Sequence, residues 1–309
     1  MEAEDRLVNF DPQSDSLVQH HQPYQQDYRW EPRVGFAWDV FQNGKTVVRS
    51  AYGLMADQPV SGLVTGLASN PPFATPLTFN GPGFVTFANA LSAAKAAGSL
   101  NPVAVARDFK TPYVQTWNLN IQQEITPDLG LMVGYFGNKG TDLKTALNIN
   151  QYLPLGTTLR PFPALSASSP IVPGSALGNI TYWDSIGNSE YDALWVKATK
   201  RLSKNLQFEA NYTRSKMMDE TSYNTPISVW GSNTSMQDST NLRGDHAPSD
   251  LDVRNRFTFS GIYELPFQGN RAVEGWQFSL INQVQSGNPI EIRSGSDRRR
   301  MATRNISRG

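Results

Sequence analysis

The chain has 309 residues, of which 17% are charged against about 25% in an ordinary soluble domain, and its mean hydropathy is −0.43. Lys plus Arg equals Asp plus Glu at 27 each, which excludes a generally basic nucleic-acid binder and an acidic disordered tail. Aromatic content of 11% argues against disorder, no apolar run is long enough for a transmembrane helix, and the lack of cysteine excludes thiolate chemistry, Cys-ligated zinc and disulfides. A transmembrane β-barrel stays open, because its strands hide their apolar content in alternation.

The N-terminus, Met1 to Asp15, carries neither a basic nor an apolar signal region, and residues 1–28 read as a partial strand or loop and a polar lead-in. The first hairpin follows. Val34, Phe36, Trp38 and Val40 share one face, Gln42–Lys45 supplies an Asn-Gly turn, and Thr46 to Leu54 returns. In the second, Trp117, Leu119, Ile121 and Ile125 alternate with Thr116, Asn118, Asn120, Gln122 and Glu124; Thr126-Pro127-Asp128 turns the chain into Leu129, Leu131, Val133 and Tyr135.

The third hairpin is the clearest. Leu194, Val196, Ala198 and Leu202 alternate with Trp195, Lys197, Thr199 and Arg201; after Ser203-Lys204-Asn205, Leu206, Phe208, Ala210 and Tyr212 alternate with Gln207, Glu209, Asn211 and Thr213. The fourth sets Val253, Phe257, Phe259, Tyr263 and Leu265 against Arg254, Arg256, Thr258, Ser260 and Glu264. A longer turn from Pro266 to Gly275 leads to Trp276, Phe278, Leu280 and Val284.

The connections between hairpins, Ala56–Lys110, Asn138–Glu190 and Met217–Asp250, are long and rich in Pro, Gly, Ser and Asn; Val85 to Ala97 reads as a short helix. Loops of that length count against a compact soluble domain. Short turns alternating strictly with long loops suit an outer-membrane barrel, and strands of about ten residues suit a tilted crossing. The expected fold is therefore all-β: about eight antiparallel up-and-down strands in a curved, open sheet that forms part of a transmembrane barrel. Trp117, Tyr135, Phe208, Tyr212, Phe257, Phe259, Trp276 and Phe278 are the expected lipid-facing or girdle residues. Tyr52, Trp117, Tyr135 and Tyr212 mark the long-loop end; Phe41, Phe267 and Trp276 mark the short turns. Asn118, Asn120, Gln122, Glu124, Lys197, Arg201, Glu209, Arg254 and Arg256 are the expected lumen-facing residues.

The order of these segments resembles the C-terminal barrel of TonB-dependent outer-membrane receptors, specifically the Oar-like group. The resemblance rests on Arg33 to Trp38 with Gly44 to Gly53, Asn70 to Phe73, Phe109 to Gln122, Gly134 to Thr141 and Tyr191 to Leu194. It continues through Asn211 to Lys216, Asn241 to Arg243, Asp252 to Phe257, Tyr263 to Phe267, Gly275-Trp276 and Gln285 to Gly287, spanning roughly residues 5–295. It implies a barrel portion over 29–293, outer-membrane lipid around it, a ligand of unknown identity, and TonB and a plug domain as partners in energised uptake; no nucleic acid is implied. No plug, TonB box or signal peptide is recognisable, and residues 294–309 are a basic stretch foreign to the family, so the chain reads as a fragment of a longer precursor.

No catalytic, metal or cofactor motif appears, so no enzyme activity is expected. Adjacent His20 and His21 point opposite ways on an extended segment, and His246 stands alone. Asp238, Asp245, Asp250 and Asp252 lack calcium-loop spacing and read as solvated acids. Gly137 to Thr141 reads as the end of a strand that opens no helix, unlike a phosphate loop. Arg254 and Arg256 are suited to pair with plug carboxylates. Two other readings remain: a soluble β-sandwich surface-binding module, and a non-functional remnant of a receptor gene.

Overall fold

The computed structural model describes residues 7–19, 28–57, 62–74, 98–152, 159–220, 236, 238–270, 272–293 and 306–308. The expected helix at Val85–Ala97, the His20–His21 pair and most of the basic stretch 294–309 lie outside the described residues.

A hairpin, β1 (Val8–Asp11) and β2 (Ser16–Gln19), opens the fold. Next come β3 (Arg33–Asp39), β4 (Thr46–Ala56), the short β5 (Val103–Val105), β6 (Tyr113–Thr126), β7 (Leu129–Asn148), β8 (Thr181–Ser203) and β9 (Leu206–Asp219). A two-residue β10 (Ala247–Pro248), then β11 (Asn255–Glu264) and β12 (Gln277–Gln285), complete the main sheet, while β13 (Glu291–Arg293) pairs with β14 (Ile306–Arg308). The main sheet runs β3-β4-β6-β7-β8-β9-β11-β12, each strand antiparallel to its sequence neighbour, with β5 parallel to β8 and β10 flanking β9. The eight long strands are those that the period-two pattern predicts. The sheet is not closed: β3 and β12 are its edges.

Turn chemistry sets the hairpins. At the first, Gly44 takes φ +72° and its N–H donates to the Asp39 carboxylate at 2.8 Å, a conformation that a side chain at Gly44 would strain. Thr126 Oγ1 donates to Asp128 at 2.6 Å in the second, and Lys204 and Asn205 both take positive φ in the third.

The second long connection is shorter than expected. β7 and β8 stay paired beyond Gly140 as far as Asn148 opposite Thr181, leaving residues 149–180 as the connection, and Gly137–Thr141 lies inside β7 instead of ending it. A bulge between Gly140 and Lys144 breaks the alternation there, which hides the strand from a period-two reading. At 20 and 23 residues, β7 and β8 are about twice the length a membrane crossing needs, so their paired ends form a ribbon at the long-loop end.

On that ribbon sits the buried core. Val8, Phe10 and Leu17 pack with Ala104, Leu165, Leu177 and Ile180; Leu7 packs with Leu63, Leu67, Val105, Ala106 and Phe109. Three buried asparagines join these loops by serving as surrogate strand backbone. Asn9 donates to Val105 C=O at 2.8 Å and accepts from its N–H at 3.0 Å. Asn70 does the same with Val103 at 2.6 and 2.9 Å and also donates to Val8 C=O. Asn150 donates to Phe162 and Gly178 and accepts from Phe162 N–H. Asn9 satisfies backbone groups that water cannot reach, and Asn70 and Asn150 each serve one buried and one half-buried partner. Residues 7–19, at the start of the expected lead-in, thus form a hairpin stapled into a cap.

Candidate membrane-facing surface and polar inner face

Register decides which side chains share a face. In one row Trp38, Val48, Ile121, Val133, Val196, Tyr212, Phe257 and Val284 stand side by side across all eight strands. Trp117, Tyr135, Phe208, Phe259 and Phe278 belong to the same face, and Trp276, one residue before β12, is 60% exposed. Unusually for a folded chain, these large apolar groups stay exposed: Phe36, Trp38, Leu194, Phe278 and Leu280 among them. Along β8 the apolar run Leu194, Val196, Ala198 lies between Asp192 and Lys200, eight residues or about 26 Å apart.

The long-loop edge of this face is drawn by tyrosine hydroxyls. Tyr52 donates to Gln115 at 3.1 Å, Tyr135 to Asp192, and Tyr212 to Asn255 at 2.8 Å. Each acceptor is on the next strand, one row nearer the long loops. The line is oblique. Tyr52 shares its row with Trp117, Gly137, Asp192 and Lys216, whereas Tyr212 on β9 lies four residues nearer the short turns, four strands away. One residue of about 3.3 Å per strand spacing of about 4.8 Å is a slope of about 35°. That is the strand tilt of an outer-membrane barrel, and it reduces the 26 Å stretch on β8 to about 21 Å along the membrane normal. The expected girdle residues Tyr52, Trp117, Tyr135 and Tyr212 all belong to this end. The acceptors Gln115, Asp192 and Asn255, and the exposed Tyr28 and Trp30 beside it, escape sequence reasoning because nothing in their spacing marks them.

At the short turns, Lys200 pairs with Asp128 on the adjacent hairpin, and Ser203 donates to the same carboxylate. Lys200, then the Ser203 and Thr126 hydroxyls, hold the Asp128 carboxyl well below its usual range. At the other end, in the ribbon, burial followed by the carboxylates of Asp184, Asp108 and Asp11 pushes the Tyr182 hydroxyl up to about 12.

The opposite face is largely polar, although Phe136 and the 87% exposed Ile281 also belong to it, and it carries bonds along and between strands. Arg49 donates to Gln122 at 2.8 Å and Asn120 to Asn118 at 3.0 Å. Lys197 pairs with Glu209 at 2.7 Å, Glu209 accepts from Asn211 at 3.1 Å, and Arg256 reaches Gln283 at 3.4 Å. Register puts Asn118, Asn120, Gln122, Glu124, Lys197, Glu209 and Arg256 on this one face. Arg201 lies at the register shift of the third hairpin, its N–H bonded to Asp128 C=O and its side chain exposed. Arg254, just before β11, donates to Asp252 at 2.6 Å, so its carboxylate partner is in its own chain; Asp252 also accepts from Met217 N–H. Trp195 lies across β7 at Gly134, where an added Cβ would stand 2.5 Å from the indole.

A face of exposed hydrocarbon bounded by hydroxyls and charges, backed by a hydrogen-bonded polar face, is built to separate lipid from water. The model of the outer membrane beta barrel domain matches residues 1–308. Among solved structures the chain is similar to the outer membrane transporter YddB from Escherichia coli, with TM-score 0.51 and 11% identity over 88% of this chain and 31% of that one. The alcaligin outer membrane receptor FauA from Bordetella pertussis aligns with TM-score 0.42 and 12% identity, over 85% and 30% of the two chains. No curated protein sequence matches the chain. The chain spans about a third of the length of these two structures. Its repeated antiparallel hairpins, tilted aromatic line and two-faced strands agree with the family match: the chain belongs to the outer membrane beta barrel domain family.

Proposed function

We propose that this chain forms part of the wall of a TonB-dependent outer-membrane transporter of the Oar-like group, which takes up a ligand at the expense of inner-membrane energy. The observation that carries the reading is the apolar row that crosses all eight long strands and is closed off by tyrosine hydroxyls, opposite a face that carries the Lys197–Glu209 and Arg49–Gln122 bonds between strands. Phe208, Tyr212, Phe257, Phe259 and Phe278 then meet lipid. Asn118, Asn120, Gln122, Glu124, Lys197, Glu209 and Arg256 line the lumen, where they meet water or a plug domain. Lateral bonding favours a wide, hydrated lumen: Lys197 and Glu209 neutralise each other along the wall and need no partner across it. The cap of loops over the ribbon is the outer, ligand-meeting end.

The test is uptake of labelled large solutes by cells expressing a full receptor that contains this chain as part of its barrel wall, in TonB-containing and TonB-deficient backgrounds. Uptake that requires TonB supports the reading. Passive leakage of small solutes, equal in both backgrounds, contradicts it.

A further inference from the structure

The tyrosine line sets a level on the apolar face, and two cations stand just beyond it without acidic partners among the described residues. Arg214 and Lys216 follow Tyr212 on β9 at spacings of two and four, so all three project from the same face. Both cations are exposed. The carboxylates at their level are engaged: Asp192, across from Lys216, accepts the Tyr135 hydroxyl, and Glu190 holds Lys139 at 3.1 Å. Among the described residues, neither Arg214 nor Lys216 has a carboxylate within 4.0 Å.

Their height follows from the tilt. Two residues of about 3.3 Å at about 35° lift Arg214 roughly 5 Å above Tyr212 along the membrane normal, and Lys216 roughly 11 Å. A bilayer's polar layer is about 5 to 8 Å thick on each side of its hydrocarbon. Arg214 therefore lies within that layer, and Lys216 reaches it by bending its flexible stem back toward the membrane. The tyrosine hydroxyls mark where hydrocarbon stops, and the cations begin where phosphate groups start.

We propose that Arg214 and Lys216 form a binding site on the barrel's outer wall for the phosphorylated headgroup of a lipid in the leaflet at the long-loop end. Arg214 offers a planar fork for two phosphate oxygens, Lys216 adds a point charge beyond it, and the apolar row of Val196, Tyr212 and Phe257 supports the acyl chains below. The partner is a membrane lipid and not a free phosphate, because the site is continuous with the apolar face. This proposal rests on that face meeting lipid, as set out above.

The experiment folds the full chain into phosphatidylcholine vesicles, plain or doped with diphosphoryl lipid A. After gentle extraction, retained lipid is counted by native mass spectrometry, with inorganic phosphate as competitor. The wild type should enter both vesicles and keep lipid A. Arg214→Gln/Lys216→Gln should enter equally well and lose about fivefold in retention for each charge removed. Lys139→Gln, whose charge is already spent on Glu190, should keep it. Equal retention by the wild type and the double variant overturns the proposal, as does an equal loss in Lys139→Gln; displacement by free phosphate alone overturns the choice of a lipid. Failure to enter plain vesicles removes the lipid-facing reading itself and the proposal with it.

Discussion

Replacing Asn9 by Ala should loosen the cap far more than its place near the N-terminus suggests. Asn9 is 3% exposed and Val105, which it serves, is 1% exposed, so water cannot replace the lost amide. The variant leaves one buried N–H and one buried C=O of Val105 without partners, at 3.0 and 2.8 Å from the lost groups. At about 1 to 3 kcal/mol for each unsatisfied group, the loss is about 2 to 6 kcal/mol. In hydrogen exchange on protein in detergent micelles, that is a roughly 30- to 20,000-fold faster opening of the Val103–Ala106 amides. Asn9→Asp keeps an acceptor for the Val105 N–H but sets a carboxylate against its C=O. It should be at least as damaging at neutral pH and recover partly in acid, when the protonated acid can donate. Asn288→Ala, which removes an exposed bond of 2.7 Å to Asp250, is the control. If Asn9→Ala changes exchange at 103–106 by no more than about twofold, the scatter of a neutral surface change, the stapled-cap reasoning is wrong.

Val196→Arg, in the middle of the apolar row, should cost about 2 to 4 kcal/mol in urea unfolding from vesicles, while Thr199→Arg on the polar face should cost little. Gly134→Val should displace Trp195, since a Cβ there would meet the indole at 2.5 Å; loss of the near-ultraviolet circular dichroism band of an ordered Trp would show it, and an unchanged band would refute it. Asp128, held below its ordinary value of 3.8 by Lys200, contributes stability that is present above that value and lost as pH falls further through the folded-state value. Urea midpoints should therefore be insensitive to this group above about pH 5 and decline below about pH 4, with that decline reduced in Asp128→Asn.

The long strands were legible because membrane-type strands keep strict alternation where packing is weak: Leu206 to Thr213 shows two faces without help from any neighbour. The ribbon of β7 and β8 was not, because its bulge at Gly140–Lys144 shifts the phase and its residues pack under a cap instead of facing lipid. The cap itself depends on contacts far apart in sequence, Asn9 to Val105 and Asn70 to Val8, between residue types that ordinarily signal turns. The two-faced character of the candidate site could be read from spacing alone, but its oblique tyrosine line could not. That line needs the register across β4 to β11, which no single strand encodes.

The division of the strands into lipid and water faces is tested most directly on β9. The chain has no cysteine, so single cysteines at each position from Gln207 to Thr213 can carry a spin label in the membrane-inserted protein. Accessibility should follow a period of two: oxygen, concentrated in lipid, reaches labels at Phe208, Ala210 and Tyr212, and a water-soluble nickel chelate reaches those at Gln207, Glu209 and Asn211. Uniform accessibility along the strand, or the opposite phase, would contradict it.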